Sequence, residues 1–158
     1  MTRIVRDEGA GLAASRILIA GGAGFIGSAL AREMLAHSLA QVLVFDSLTY
    51  ATSPAALNGV RADPRFTFVR GDISDAALVR STIQSFAPDV IINLAAESHV
   101  DRSIDGPGPF VDSNIVGVFV LLQAALEHWR GLEGEVAQAF RFHQVSTDEV
   151  FGSLGPTG

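Results

Sequence analysis

The 158-residue sequence predicts an α/β protein built on a doubly wound parallel sheet. Three observations predict it. Short runs of Ile, Val, Leu and Phe alternate with longer segments of helical periodicity, a glycine-rich turn follows the first apolar run directly, and an aspartate closes the second. Runs without a polar face belong to strands covered on both sides, as parallel strands are. Right-handed crossovers make 3-2-1-4-5 the economical strand order, with ligands at the carboxyl ends where that order reverses.

Each element is justified locally. Ile17 to Ala20 is the first strand, and Phe25 to His37 the first helix, with Ile26, Leu30, Met34 and Leu35 falling on one face. Gln41 to Asp46 is the second strand, Pro54 to Gly59 a short helix, and Phe66 to Arg70 the third strand. A helix over Asp75 to Phe86 is expected to start at a Ser74 cap, and the fourth strand is Asp89 to Asn93. A loop holding Gly106, Pro107, Gly108 and Pro109 leads into a long helix ending near Trp129, and Phe140 to Val145 is the fifth strand.

Composition narrows the function. The chain is 48% hydrophobic and 18% charged, so it folds but carries an apolar surface. One domain over residues 16–158 is expected, after a flexible tail at residues 1–15. The net charge is −6 and all 11 positive side chains are arginines, scattered along the chain, which argues against a nucleic-acid partner. No signal-peptide pattern is visible, and the most hydrophobic segment, Ile115 to Leu126, is too short for a bilayer span of roughly 20 residues, so no membrane partner is expected. Without cysteine the chain suits, but does not require, a reducing cytoplasm. His37, His128 and His143 lack ligand spacing, His99 and Asp101 read as local hydrogen-bonding residues, and no metal is expected.

The chemistry gathers at strand ends. Gly21, Gly24 and Gly27 form a G-x-x-G-x-x-G turn between the first strand and its helix. Residues without Cβ let the chain turn sharply and bring N–H groups against a diphosphate at the positive helix end. A tight turn with no ligand has the same glycines, but Asp46 follows Gly27 by 19 residues, where an acid accepts from the hydroxyls of an adenosine ribose. That carboxylate would repel a 2′-phosphate, and Ser47, Leu48 and Thr49 supply no arginine, so NAD is favoured over NADP. By spacing alone, Asp72 reads equally as an acceptor for the adenine amino group or as a loop acid.

The glycine spacing resembles the extended short-chain dehydrogenase/reductase superfamily, whose NAD-binding domain is a Rossmann fold. Three segments narrow the resemblance: Asp46-Ser47-Leu48-Thr49-Tyr50-Ala51, the stretch from Asn93 through Ala95, Ala96, Glu97, Ser98 and His99 to Ser103, and Ser146-Thr147-Asp148-Glu149-Val150-Phe151-Gly152. They are similar to the signatures of the dTDP-glucose 4,6-dehydratases. The resemblance implies that Phe25, Ile26, Asp46, Leu48, Thr49, Asp72, Ile73, Leu94, Ala95, Ala96 and Ser113 line an NAD site, and that Ser98 and Thr147 face the sugar nucleotide. It makes Asp148 the acid that protonates the departing C6 hydroxyl and Glu149 the base that takes the C5 proton. Hydride passes from C4 to NAD and returns to C6 after water has left. One carboxyl must then be protonated while its neighbour is ionised, which needs distinct environments. Read without the resemblance, Ser146 to Glu149 is first a capping box at a helix start, a role compatible with catalysis.

The family oxidises C4 with a Tyr-x-x-x-Lys pair. This chain has no lysine, and its only tyrosine is Tyr50 in the ribose-side turn. The resemblance therefore implies a C-terminally incomplete copy of the domain, without its substrate-binding region and inactive alone. Two other readings are a non-catalytic NAD-binding module and a related nucleotide-sugar epimerase or UDP-sugar dehydratase; the Asp148–Glu149 pair argues against the epimerase. Val116, Phe119, Val120, Leu122 and Ala124 spread over more than one face of the long helix. Relatives pair such helices, so a homodimer is expected for the whole protein, with a dTDP-sugar as substrate.

Overall fold

Side-chain alternation along two central strands divides the core in two. In the computed structural model, which describes residues 15–50, 52–98, 104, 106–147, 150, 152 and 155, β1 (Arg16–Ala20) and β2 (Gln41–Asp46) pair in parallel. Leu18, Ala20, Leu43 and Phe45 enter one buried cluster, while Ile17, Ile19, Val42 and Val44 enter another. Successive strand residues point to opposite faces, so runs apolar at every position need a helical layer on both sides. Each fully buried Leu, Ile or Val contributes about 1.5–3 kcal/mol.

Helix α1 (Phe25–His37) covers one face through Ala31 and Leu35, with Leu57 of the 3₁₀ turn Pro54–Leu57 beside them. Strand β3 (Phe66–Arg70) extends the sheet beyond β2. Helix α2 (Ala76–Phe86) supplies Val79 and Ile83 to the opposite face. Strand β4 (Val90–Asn93) then lies on the far side of β1. The long helix α3 (Gly108–Arg130) adds Leu121, Ala124 and Ala125 beside α2, and α4 (Gly134–Ala139) leads into β5 (Arg141–Gln144). All pairings are parallel and the order is β3-β2-β1-β4-β5, the doubly wound Rossmann topology that the alternation predicts.

Several local expectations are corrected. Asp75, not Ser74, caps α2: its Oδ1 accepts from the N–H groups of Ala77 and Leu78, while Ser74 donates to Asp72. Ile26 is exposed rather than on the core face of α1, because the residues that close on the sheet are Gly27, Ala31 and Leu35. The 3₁₀ turn stops at Leu57 and not Gly59, and α4 falls in a stretch read only as a connection. The apolar helix is also longer than its most hydrophobic core: Gly108–Arg130 runs 23 residues and by length and composition alone could cross a membrane. Here it packs on α2, with an Arg80–Glu127 ion pair of 2.8 Å between the two.

Residues 112–117 of α3 form one wide π turn, a feature that recurs where helices border functional sites. It brings Gly117 against Ile73 so closely that a Cβ there would lie 2.5 Å from the Ile73 side chain. At the other end of the sheet, Arg65 donates to the carbonyls of Leu35 and Ser38, satisfying the open C-terminus of α1. Its hydrogen bond to Asp63 holds that carboxyl below the usual carboxylate range.

Candidate functional site

A cleft of about 340 Å³ opens at the carboxyl end of the sheet, where the strand order reverses between β1 and β4. Gly21 and Gly24 form its floor, Asp46, Ser47, Thr49 and Thr52 one wall, and Leu94, Ala95, Ala96 and Glu97 the other. Gly71, Asp72, Ile73 and Ser74 follow β3, and Asp112 and Ser113 enter from the π turn of α3.

The glycines of the floor differ in what demands them. Gly21 has φ +74°, and a Cβ on it would sit 2.5 Å from the backbone nitrogen of Ala95, so the turn and the β4 loop touch only because it is glycine. A Cβ on Gly27 would collide with the Gly21 carbonyl. Gly24 is another case. Its backbone is extended (φ −72°, ψ 177°), and a Cβ would approach only the Gly21 carbonyl, at 3.3 Å. Protein packing hardly requires glycine there, but a ligand lying against the turn would.

Gly24 is also the N-cap of α1, and it offers no side-chain cap. Ser28 is the first residue whose N–H returns to the helix, to the Gly24 carbonyl at 2.9 Å. The first-turn N–H groups ahead of it point out at the positive end of a 13-residue helix with no acid in its first turn. Such a donor set fits a diphosphate.

Asp46 is buried, and its carboxylate is fully oriented. Oδ2 accepts from the Ala23 N–H at 2.9 Å and Oδ1 from the Leu48 N–H at 2.8 Å, which ties the end of β2 to the glycine turn. Each oxygen keeps a second lone pair, so it can still accept from a ribose hydroxyl. Leu48 takes a left-handed backbone (φ +59°) to make its bond, an uncommon conformation for that residue, and its side chain packs toward the β1/α1 core. Strand register sets Arg70 beside Asp46, a neighbour that sequence spacing could not show. Asp72 takes both Ser74 bonds, from N–H and hydroxyl at 2.8 Å, on Oδ1 alone.

The cleft thus brings together Gly21, Gly24, Asp46, Thr49, Asp72, Ile73, Leu94, Ala95, Ala96 and Ser113. Gly27 is buried just beneath, while Phe25 and Ile26 stand exposed at the start of α1 outside the lining; the half-buried Leu48, packed toward the core, also lies outside it. Ser98 and Thr147 are exposed beyond the ends of β4 and β5, neighbouring strands. Asp148 and Glu149 lie outside the described residues, as do residues 1–14, His99 and Asp101. Sequence reasoning missed Asn93, which is fully buried: its Nδ2 donates to Gln144 at 2.8 Å and its Oδ1 accepts from the Ala95 N–H at 3.1 Å, pinning the wall of the cleft. An amide in an otherwise apolar strand was the available signal. No cluster that could hold a metal occurs among the described residues.

The family model described as GDP-mannose 4,6 dehydratase matches residues 18–158. The chain is 47% identical over 142 residues to a dTDP-glucose 4,6-dehydratase of Neisseria meningitidis serogroup B, covering 90% of this chain and 40% of that relative. Among solved structures, dTDP-glucose 4,6-dehydratase from Streptomyces venezuelae, with NAD and a second ligand bound, aligns with a TM-score of 0.76 and 46% identity, over 89% of this chain and 42% of that one. UDP-glucose 4-epimerase from Brucella ovis in complex with NAD aligns with a TM-score of 0.70 and 27% identity, over 89% and 38%. The chain spans about two fifths of the length of these relatives.

Proposed function

The chain belongs to the GDP-mannose 4,6 dehydratase family, and from that membership we propose that the whole protein is a dTDP-glucose 4,6-dehydratase, an NAD-dependent hydro-lyase of nucleotide-sugar metabolism. It would convert dTDP-glucose to dTDP-4-keto-6-deoxyglucose and water. The observation that carries the reading is the junction of Asp46 with the glycine turn: a buried carboxylate held by two backbone N–H groups, beside an uncapped helix start.

The residues of this cleft fit NAD, which would supply the hydride acceptor and donor. The first turn of α1 and the bare Gly24 would hold the diphosphate, and Asp46 the adenosine ribose. Because Ala23 and Leu48 fix both oxygens of Asp46, that side chain cannot swing aside for a 2′-phosphate, which favours NAD. Asp72 would accept from the adenine through its second oxygen, with Ile73, Leu94, Ala95, Ala96 and Ser113 around the cofactor. Phe25, Ile26, Leu48 and Thr49 complete the set proposed for it. Ser98 and Thr147 would contact the dTDP-sugar, Asp148 would protonate the leaving C6 hydroxyl and Glu149 would remove the C5 proton.

The relatives' identities, 46% to the dehydratase structure and 27% to the epimerase, favour dehydration over epimerisation. Lacking lysine, the 158 residues contain no Tyr-x-x-x-Lys pair and are proposed to be inactive alone, binding NAD without turnover. Cytoplasmic location and a homodimer through α3 are part of the same proposal. Val111, Ile115, Phe119, Leu122 and Trp129 are exposed on that helix, and from Ile115 their steps of four, three and seven residues keep one stripe.

Calorimetric titration of the chain with NAD and with NADP tests the cofactor reading. NAD is expected to bind and NADP at least tenfold more weakly; equal or tighter NADP binding would refute the role of Asp46. Formation of 4-keto product from dTDP-glucose by the 158 residues alone would overturn the inactivity.

A further inference from the structure

A side-chain bond joins the loops that flank the cleft. The Tyr50 hydroxyl donates to Glu97 Oε2 at 2.9 Å. Tyr50 stands four residues past the end of β2 and Glu97 four past the end of β4, and β1 lies between those strands. Two strand spacings are about 10 Å, so the bond bridges the carboxyl end of β1, where the glycine turn begins.

Both arms of the bridge are pinned at their bases. On one side Asn114, in the π turn of α3, accepts from the Glu97 N–H at 2.9 Å and donates to the Glu97 carbonyl at 2.9 Å. On the other, Thr52 donates to the Thr49 carbonyl through N–H and hydroxyl, and the Ser53 N–H donates to Ala23 in the glycine turn at 3.1 Å. The loops are therefore held, and among the described residues the Tyr50–Glu97 bond joins them. Tyrosine suits the task because its ring spans distance stiffly and ends in a donor.

We propose that Tyr50 and Glu97 form a clasp over the dinucleotide, so that cofactor enters and leaves only when this bond opens. The inference rests on the proposed NAD site. A molecule reaching from the Asp46 wall across Gly21 and Gly24 toward β4 has to pass the end of β1, which the bridge spans. The pair does not recognise the ligand; it controls passage. Removing it should therefore speed both entry and exit, with little change in affinity, whereas losing a direct contact would speed exit alone.

The test uses the full chain and 1,N6-etheno-NAD, whose fluorescence reports binding, in stopped-flow association and in displacement by excess NAD. Tyr50→Phe and Glu97→Ala should each raise association and dissociation rates about three- to tenfold, and the double variant should do no more than either single one. Melting curves check that all three remain folded, as expected for an exposed hydrogen bond. Unchanged rates, or faster dissociation with unchanged association, would overturn the clasp while leaving the NAD site standing. Failure of the unaltered chain to bind NAD at all would overturn the site and the clasp together.

Discussion

Replacing Gly24 by alanine separates the glycine that ligand needs from those that folding needs. At φ −72°, ψ 177° alanine is unstrained, and its Cβ meets only the Gly21 carbonyl at 3.3 Å, a contact relieved by a shift of a few tenths of an ångström. Alanine is a poorer N-cap than glycine by up to about 1 kcal/mol. For a chain of this size that lowers Tm by roughly 2–4 °C. Binding should suffer far more. A methyl group at the mouth of the first turn holds the diphosphate away from its N–H donors, and charged hydrogen bonds contribute about 1.5–3 kcal/mol each. Losing two raises Kd by about a hundredfold or more.

Gly21→Ala is the matched control. At φ +74° a side chain costs about 1–2 kcal/mol, and a Cβ 2.5 Å from the Ala95 nitrogen forces the turn away from β4. That variant should melt far lower or fail to fold. Circular dichroism melts and NAD calorimetry on both give the answer. A folded Gly24→Ala chain that binds NAD within threefold of the unaltered one would refute the reasoning, because the cleft floor would then tolerate a side chain that the phosphate geometry forbids.

Asn93→Ala should lower stability by about 1–3 kcal/mol in urea unfolding, since it leaves the Ala95 N–H without its buried acceptor; a smaller loss would mean that the β4 loop does not depend on it. Phe119→Glu, on the exposed stripe of α3, should leave the fold intact and shift the whole protein from the proposed dimer to monomer in light scattering, while an unchanged state would refute a dimer interface on this stripe. Arg65 holds the Asp63 carboxyl below its ordinary value of 3.8. That stabilisation is complete above the ordinary value and is lost as pH falls through the lowered one. The Tm gap between Asp63→Asn and the unaltered chain should accordingly be present at neutral pH and close below about pH 4; a gap constant into acid would exclude the pairing as its source.

The strands and their order were legible because their signals are local. An apolar run such as Val42 to Phe45 needs cover on both faces whatever the rest of the chain does, and β1 cannot reach a parallel neighbour except through a helix. The glycine turn and Asp46 were legible for a related reason: their separation is the length of one helix and one strand. What escaped was set by contacts between distant segments. Periodicity put Ile26 on the inner face of α1, but Gly27, seated closely on the turn, takes the buried place in that first turn and leaves Ile26 exposed. Ser74 and Asp75 are both good caps by residue type, and the choice fell to Asp75 because Ser74 is engaged by Asp72. Spacing assigned Asp46 a ribose and could not show that the same carboxylate holds Ala23 and Leu48 in place. That double duty has a consequence for experiments on the site. Any substitution at Asp46 disturbs the turn as well as the ligand contact, so a loss of NAD binding there identifies neither cause alone, whereas at Gly24 only the ligand stands to lose much.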